Sequence, residues 1–274
     1  MADLLWGTSE LRVIEVPTLR TRPNWNLPTI TASADWQPNH LLVVASVEKD
    51  AGRNGFVNLL GSALRLMGRP FAVVELNLAL GSAARAHKAD GATVELISPM
   101  ERDWSVTLID RVDAHFERIV ILTIPAGMWR EFATVEKPLL KSFGQARPAA
   151  YAFVDPSGAA KWLQAHIKWL SQCELPPLEH RLVLRGAPLY PPSTPVTPAY
   201  NYIISPFFYP QIADAVFGRV GPDGQSQPCA TFHDAWDMAT TGTKATMFEP
   251  VKEALRDIAG LLGMANFQLE RETR

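Results

Sequence analysis

Cysteine is scarce in these 274 residues: Cys173 and Cys229 stand far apart. Two such residues make neither a metal-ligand spacing nor a disulfide framework, which fits a reducing cytoplasm. The six histidines, His40, His87, His115, His166, His180 and His233, form no H-E-x-x-H or other ligand pair. His233 and Asp234 are adjacent, which fits a helix start better than catalysis. Charge of one sign is also lacking. The net charge is −2, so no overall basic field argues for nucleic acid or anionic lipid. No apolar run is long enough to span a bilayer, and Met1–Arg12 lacks the apolar core of a secretory signal. Met264–Arg274 carries Glu270 and Glu272 and is poorly suited to membrane anchoring. There is no G-x-S-x-G elbow, and no G-x-G-x-x-G follows the first strand. The first absence removes one hydrolase class, and the second weakens a dinucleotide reading.

What is present is ordinary globular composition, 47% hydrophobic and 20% charged, and enough length for one large α/β domain. The most informative stretch is Leu41–Leu78. Leu41–Ser46 is a short, β-branched apolar run, suited to a buried parallel strand. Val47–Gly55 is a polar loop. Phe56–Met67 places Leu59, Leu60, Ala63 and Met67 at helical spacing, and Gly68 sits at a helix C′ position. Phe71–Leu76 is a second apolar strand. A βαβ unit with a polar loop before its helix is a common phosphate-binding arrangement.

At these residues the chain resembles the ParA/MinD family of deviant Walker-A ATPases. The family pattern is K-G-G-x-G-K-[ST], a helix, and a strand ending D-x-D. With Gly52 on the last loop glycine, Arg53 stands at the phosphate lysine and Asn54 at the magnesium Ser/Thr. Lys49 and Asp50 occupy the earlier glycine positions, Glu48 the signature lysine, and Glu75 and Asn77 the two aspartates. Arg118–Met128 resembles the Walker-B strand followed by D-x-P-x-G. Pro125 and Gly127 match, and Thr123 replaces the aspartate. Glycines let backbone N–H groups converge on phosphate, and Lys49 and Asp50 hinder this. Asn54 lacks the metal-binding hydroxyl, Thr123 lacks charge, and the planar fork of Arg53 is bulkier than a lysine.

The rest of the chain extends the resemblance to about Leu262. Leu78–Ala92 reads as loop and helix, Thr93–Ser98 as a strand, and Trp104–His115 as a helix with Val106, Ile109, Val112 and Phe116 on one face. Trp129–Arg147 reads as loop with helix, and Pro148–Val154 as a strand. Ser157 is an N-cap candidate for a helix over Ala159–Leu170. Arg181–Leu184 is a strand, and Gly186–Pro198 a Pro-rich loop. Tyr209–Phe217, Thr231–Thr240 (with Gly242 after it) and Glu249–Leu262 read as helices. Ahead of all this, Leu11–Val16 suits a short strand, and Trp6, Trp25 and Trp36 call for cover by the domain or a second copy.

The expected fold is therefore α/β, a mostly parallel sheet flanked by helices, P-loop NTPase-like of the ParA/MinD type. Leu41–Ser46, Phe71–Leu76 and Arg118–Thr123 should be neighbouring core strands. The chain divides into a Pro/Trp-rich arm (1–40), the α/β domain (41–263) and a tail (264–274). The resemblance implies a bacterial, cytoplasmic organiser or adaptor with a degenerate site. Its expected currency is a protein partner, with a homodimer as an option and attachment to an envelope machine through partners. No cofactor is expected. The alternative is a weakly active ATPase that holds ATP or ADP with magnesium through Lys49, Gly52, Arg53, Asn54 and Gly55.

Overall fold

The computed structural model describes residues 26–27, 29–32, 40–46, 52–143, 149–154, 159–173, 175, 178–185, 201–205, 230–264 and 267–270. Leu11–Val16, the three early tryptophans, Lys49, Ser157, the Pro-rich loop and Tyr209–Phe217 lie outside them.

The apolar runs form a seven-stranded sheet. Its members are β2 (Leu41–Ser46), β3 (Phe71–Leu76), β4 (Thr93–Ile97), β5 (Ile119–Ile124), β6 (Ala149–Val154), β7 (Glu179–Arg185) and β8 (Asn201–Ser205). The order is β4-β3-β5-β2-β6-β7-β8, and every pairing is parallel. The three strands expected to be neighbours stand together as β3-β5-β2. A separate two-stranded antiparallel sheet joins β1 (Thr29–Ala32) to β9 (Phe267–Glu270).

Strand periodicity divides the core between the two sheet faces. On β2, Leu42 and Val44 join one apolar cluster, and Leu41, Val43 and Ala45 join the other. The first cluster packs against α1 (Arg53–Leu66), α2 (Ser82–Ala89), α6 (Phe232–Met238) and α7 (Thr241–Leu261). The second packs against α3 (Trp104–Ala114), α4 (Trp129–Phe143) and α5 (Ala159–Gln172). Continuous apolar strands follow from this cover on both faces. Phe56, Leu59 and Leu60 on α1 are fully buried, and each such side chain contributes about 1.5–3 kcal/mol.

Three helices depart from the sequence expectation. Helix α1 begins at Arg53, not Phe56, because its polar first turn is also buried, and apolar spacing does not register polar contacts. On α3, Val106 and Phe116 are 58% and 50% exposed, while Leu108 and Val112 are buried. This helix lies over β3 and the edge strand β4 and buries a narrow i, i+4 stripe; Phe116 falls beyond its end. Finally, Gly242 and Pro250 lie inside one long helix, α7. Thr240 caps it, accepting from the Thr243 amide at 3.2 Å. Proline removes one helical hydrogen bond. Here burial of Met247, Phe248, Val251, Leu255 and Ile258 outweighs that loss.

Helix α6 is seated by α1. Asn58, fully buried, donates to the Ala230 carbonyl at 2.9 Å and accepts from the Phe232 amide at 2.6 Å. Thr231 caps α6 by accepting from the Asp234 amide, so His233 and Asp234 do mark a helix start.

Candidate functional site

The turn from β2 into α1 places the candidate residues at the carboxyl ends of the central strands, where open α/β sheets hold ligands. Gly52 immediately precedes α1 with φ +92°, a left-handed backbone that favours glycine. It therefore serves the turn expected of the last loop glycine. Of the five residues proposed for nucleotide, Gly52, Arg53, Asn54 and Gly55 meet at this turn; Lys49 is outside the described residues.

Alternation along the strands explains what Arg53 meets. Val73 on β3 and Ile121 on β5 face the α1 side, so Glu75 and Thr123, two residues later, face it too. The two are paired in register across β3 and β5. Arg53 reaches both. Its Nη1 donates to Thr123 Oγ1, and its Nη2 lies 3.5 Å from Glu75 Oε1. The Glu75 and Arg53 side chains are 1% and 10% exposed. Burial pushes the Arg53 guanidinium below its ordinary range, opposed by the charge and hydrogen bond of Glu75.

Glu75 also organises the loop after β3. Its Oε2 accepts from the Gly81 amide at 2.7 Å, and its Oε1 from Asn77 Nδ2 at 3.1 Å. The Asn77 side chain in turn accepts from the Leu78 amide at 2.8 Å. Gly81 is required by close approach. A β-carbon there would stand 2.9 Å from Glu75 Oε1 and 3.1 Å from Asn54 Oδ1. Asn54 thus borders the same cluster.

Chemically, this is a buried polar knot of one cation, one anion and a hydroxyl. The substitutions at three motif positions, read separately in the sequence, are contacts of one another. Sequence reasoning missed this pairing; its only signal was the matched spacing of Glu75 and Thr123 from their strand starts. Among the described residues, no group of three or more His, Cys, Asp or Glu side chains is placed to hold a metal ion. No described helix is long and apolar enough to cross a membrane.

No protein-family model matches the chain, and no curated protein matches it in sequence. Solved structures do match. A chain of the MinC:MinD cell division protein complex of Aquifex aeolicus aligns with 85% of this chain and 99% of its own. Its identity is 11% and its TM-score 0.51. MinD of the same organism covers 85% and 100%, at 13% identity and TM-score 0.49. A ParA family ATPase from Chlorobium tepidum covers 79% and 99%, at 14% identity and TM-score 0.47. At 11% identity the first likeness bears on fold alone: a parallel α/β sheet flanked by helices, as expected from the sequence.

Proposed function

We propose that this chain is a ParA/MinD-like spatial organiser or adaptor with a degenerate nucleotide site, a pseudo-ATPase that acts by binding protein. One observation carries the proposal: Arg53 is closed onto Glu75 and Thr123. To reach a phosphate, the guanidinium would leave Glu75 as a buried, unpaired charge, at a cost of roughly 3–5 kcal/mol. A charge-assisted hydrogen bond to phosphate contributes only about 1.5–3 kcal/mol. Glu75 would also repel the incoming polyanion. Phosphoryl transfer further relies on a positioned metal and cations. Asn54 and Thr123 provide neither the hydroxyl nor the charge that the family pattern uses for magnesium.

Protein binding then becomes the working activity, with a homodimer as the simplest form. The similar Aquifex chain comes from a two-protein complex, which supports a protein partner here. The setting we propose is the bacterial cytoplasm, peripheral to an envelope machine through partners. The task is partition, or assembly of a secretion, pilus, flagellar, conjugation or cellulose apparatus.

A second reading is favoured by Gly52. A left-handed glycine leads into a 14-residue helix with no side-chain cap at its first amides. In that reading Arg53 and Lys49 hold the phosphates of a weakly active ATPase. Calorimetry with ATP, with and without magnesium, and ATP turnover of wild type against Arg53→Ala separate the two. The expected result is no turnover by either protein. Robust turnover that disappears in Arg53→Ala would overturn the pseudo-ATPase proposal.

A further inference from the structure

Among the described residues seven large apolar side chains are exposed, and five of them, Leu78, Leu96, Met100, Val106 and Phe116, fall between the end of β3 and the end of α3. Leu78, Met100 and Val106 are 59%, 80% and 58% exposed and stand at one corner of the sheet. Strands β3 and β4 pair as far as Leu76 and Ile97, and the Asn77 amide donates to the Ile97 carbonyl at 3.0 Å. Leu78 therefore leaves the sheet beside the end of β4. Two tight turns then carry the chain through Met100 into α3. In them the Glu101 amide donates to the Ser98 carbonyl at 3.1 Å and the Trp104 amide to the Glu101 carbonyl at 3.3 Å. Val106 lies on the first turn of α3. The buried knot holds this corner in place. The Asn77 side chain bonds Glu75 and the Leu78 amide, and Glu75 is paired with Arg53.

The charge around the corner is mostly of one sign. Asp103, Val106, Asp110, Asp113 and Glu117 follow one another at steps of three and four residues, and all are exposed. They form one stripe along the outer side of α3 and just beyond it. Two arginines of this segment turn toward β4 instead: Arg111 pairs with Glu95 at 3.3 Å, and Arg118 donates to Thr93 Oγ1. Arg102 offsets one of the acids.

Exposed apolar groups gathered in this way mark an interaction site, and the charges select what covers it. In a two-fold contact the same surface meets itself, so a second copy would bring acid against acid, which costs several kcal/mol. Nucleic acid and anionic lipid are repelled for the same reason. Residues 1–25 carry Asp3, Glu10 and Glu15 against Arg12, Arg20 and Arg22, so their side chains sum to zero charge. Leu27, just after them, packs in the cluster on the α1 face, opposite α3. We propose that the Leu78–Met100–Val106 corner docks a basic, amphipathic helix of a partner protein, a proposal that rests on the reading that this chain acts by binding protein. The partner's apolar side covers these three residues, and its lysines or arginines lie along the acidic stripe. With 11 residues, α3 spans about 16 Å, which a partner helix of about three turns matches.

Fluorescence anisotropy of the full chain tests this with a labelled synthetic peptide of about 18 residues, leucines on one helical face and lysines on the other. Wild type should bind it, at least threefold more weakly in about 200 mM salt than in about 50 mM. Leu78→Ser with Met100→Ser should weaken binding at least tenfold. Asp110→Lys with Glu117→Lys should do the same. Met238→Ser, at an exposed residue ending α6, should change binding less than twofold. The same peptide with glutamate in place of lysine should not bind. Failure of wild type to bind, or equal binding by wild type and both double variants, would overturn the proposal. So would a dimer, seen in sedimentation equilibrium, that the Leu78/Met100 variant dissolves, because the corner would then belong to a second copy. Loss of hydrogen-exchange protection over residues 1–25 in that variant would assign the corner to the chain's own arm, with the same consequence. Robust ATP turnover by wild type would remove the pseudo-ATPase reading and leave these binding results unchanged, so the two fail separately.

Discussion

Replacing Arg53 by alanine should weaken the folded protein far more than removal of a surface charge does. The substitution leaves Glu75, 1% exposed, without its cation, and Thr123 without its donor. Breaking a buried pair costs roughly 3–5 kcal/mol. The Gly81 amide and Asn77 still bond the carboxylate, which places the expected loss near the lower bound, about 3 kcal/mol. With a urea slope of about 3 kcal/mol per molar, the unfolding midpoint should fall by about 1 M. Glu75→Gln removes the charge and keeps a carbonyl acceptor, so Arg53→Ala in that background should cost about 2 kcal/mol less than alone. Equilibrium urea unfolding of the four proteins of the cycle measures this. A loss under about 0.5 kcal/mol, or a coupling near zero, would mean that the pair behaves as a solvated one. The argument that Arg53 is committed to Glu75 would then fail.

Three further outcomes follow from packing elsewhere. In Gly61→Ala the new β-carbon would stand 2.4 Å from His87 Nε2 and 2.5 Å from its Cε1. Overpacking of about 1–3 kcal/mol should exceed the helix gain of about 1 kcal/mol, and thermal unfolding should show His87→Ala relieving the loss. Burial holds His87 down at about 4. Its contribution, up to about 3 kcal/mol, should be complete above pH 6.5 and be lost as pH falls toward 4. His87→Gln should flatten stability over that window in urea titrations. Asn58→Ala strands the Ala230 carbonyl and the Phe232 amide and should cost about 2–4 kcal/mol, with α6 losing exchange protection first.

The sheet was legible because buried parallel strands are written as short β-branched runs; β2, β3 and β5 stand where those runs do. The Gly52 turn was legible from its place between strand and helix. The α3 face was not, because Val106 and Phe116 repeat at helical spacing whether or not anything covers them. The start of α7 was expected at Glu249 and lies at Thr241, because Gly242 and Pro250 oppose locally a helix that tertiary burial enforces. At the candidate site, the sequence identified Arg53, Glu75 and Thr123 as substitutions. It could not show that they touch, since contact depends on strand order, which puts β5 beside β3.

Strand order also imposes a timetable on synthesis. The central strand β2 pairs with neither of its successors β3 and β4; Leu41 waits for Val120 on one side and Ala149 on the other. At roughly 5–20 residues per second, β5 emerges some 4–16 s after β2, and β6 later still. During that interval a strand apolar but for Ser46 exists without its neighbours, and Arg53 and Glu75 exist without Thr123. Slow, non-local closure of this kind makes nascent chains aggregation-prone. Slower translation before β5 would prolong that exposure, and the yield of folded protein should respond to synthesis rate upstream of Ile119 more than downstream of Val154.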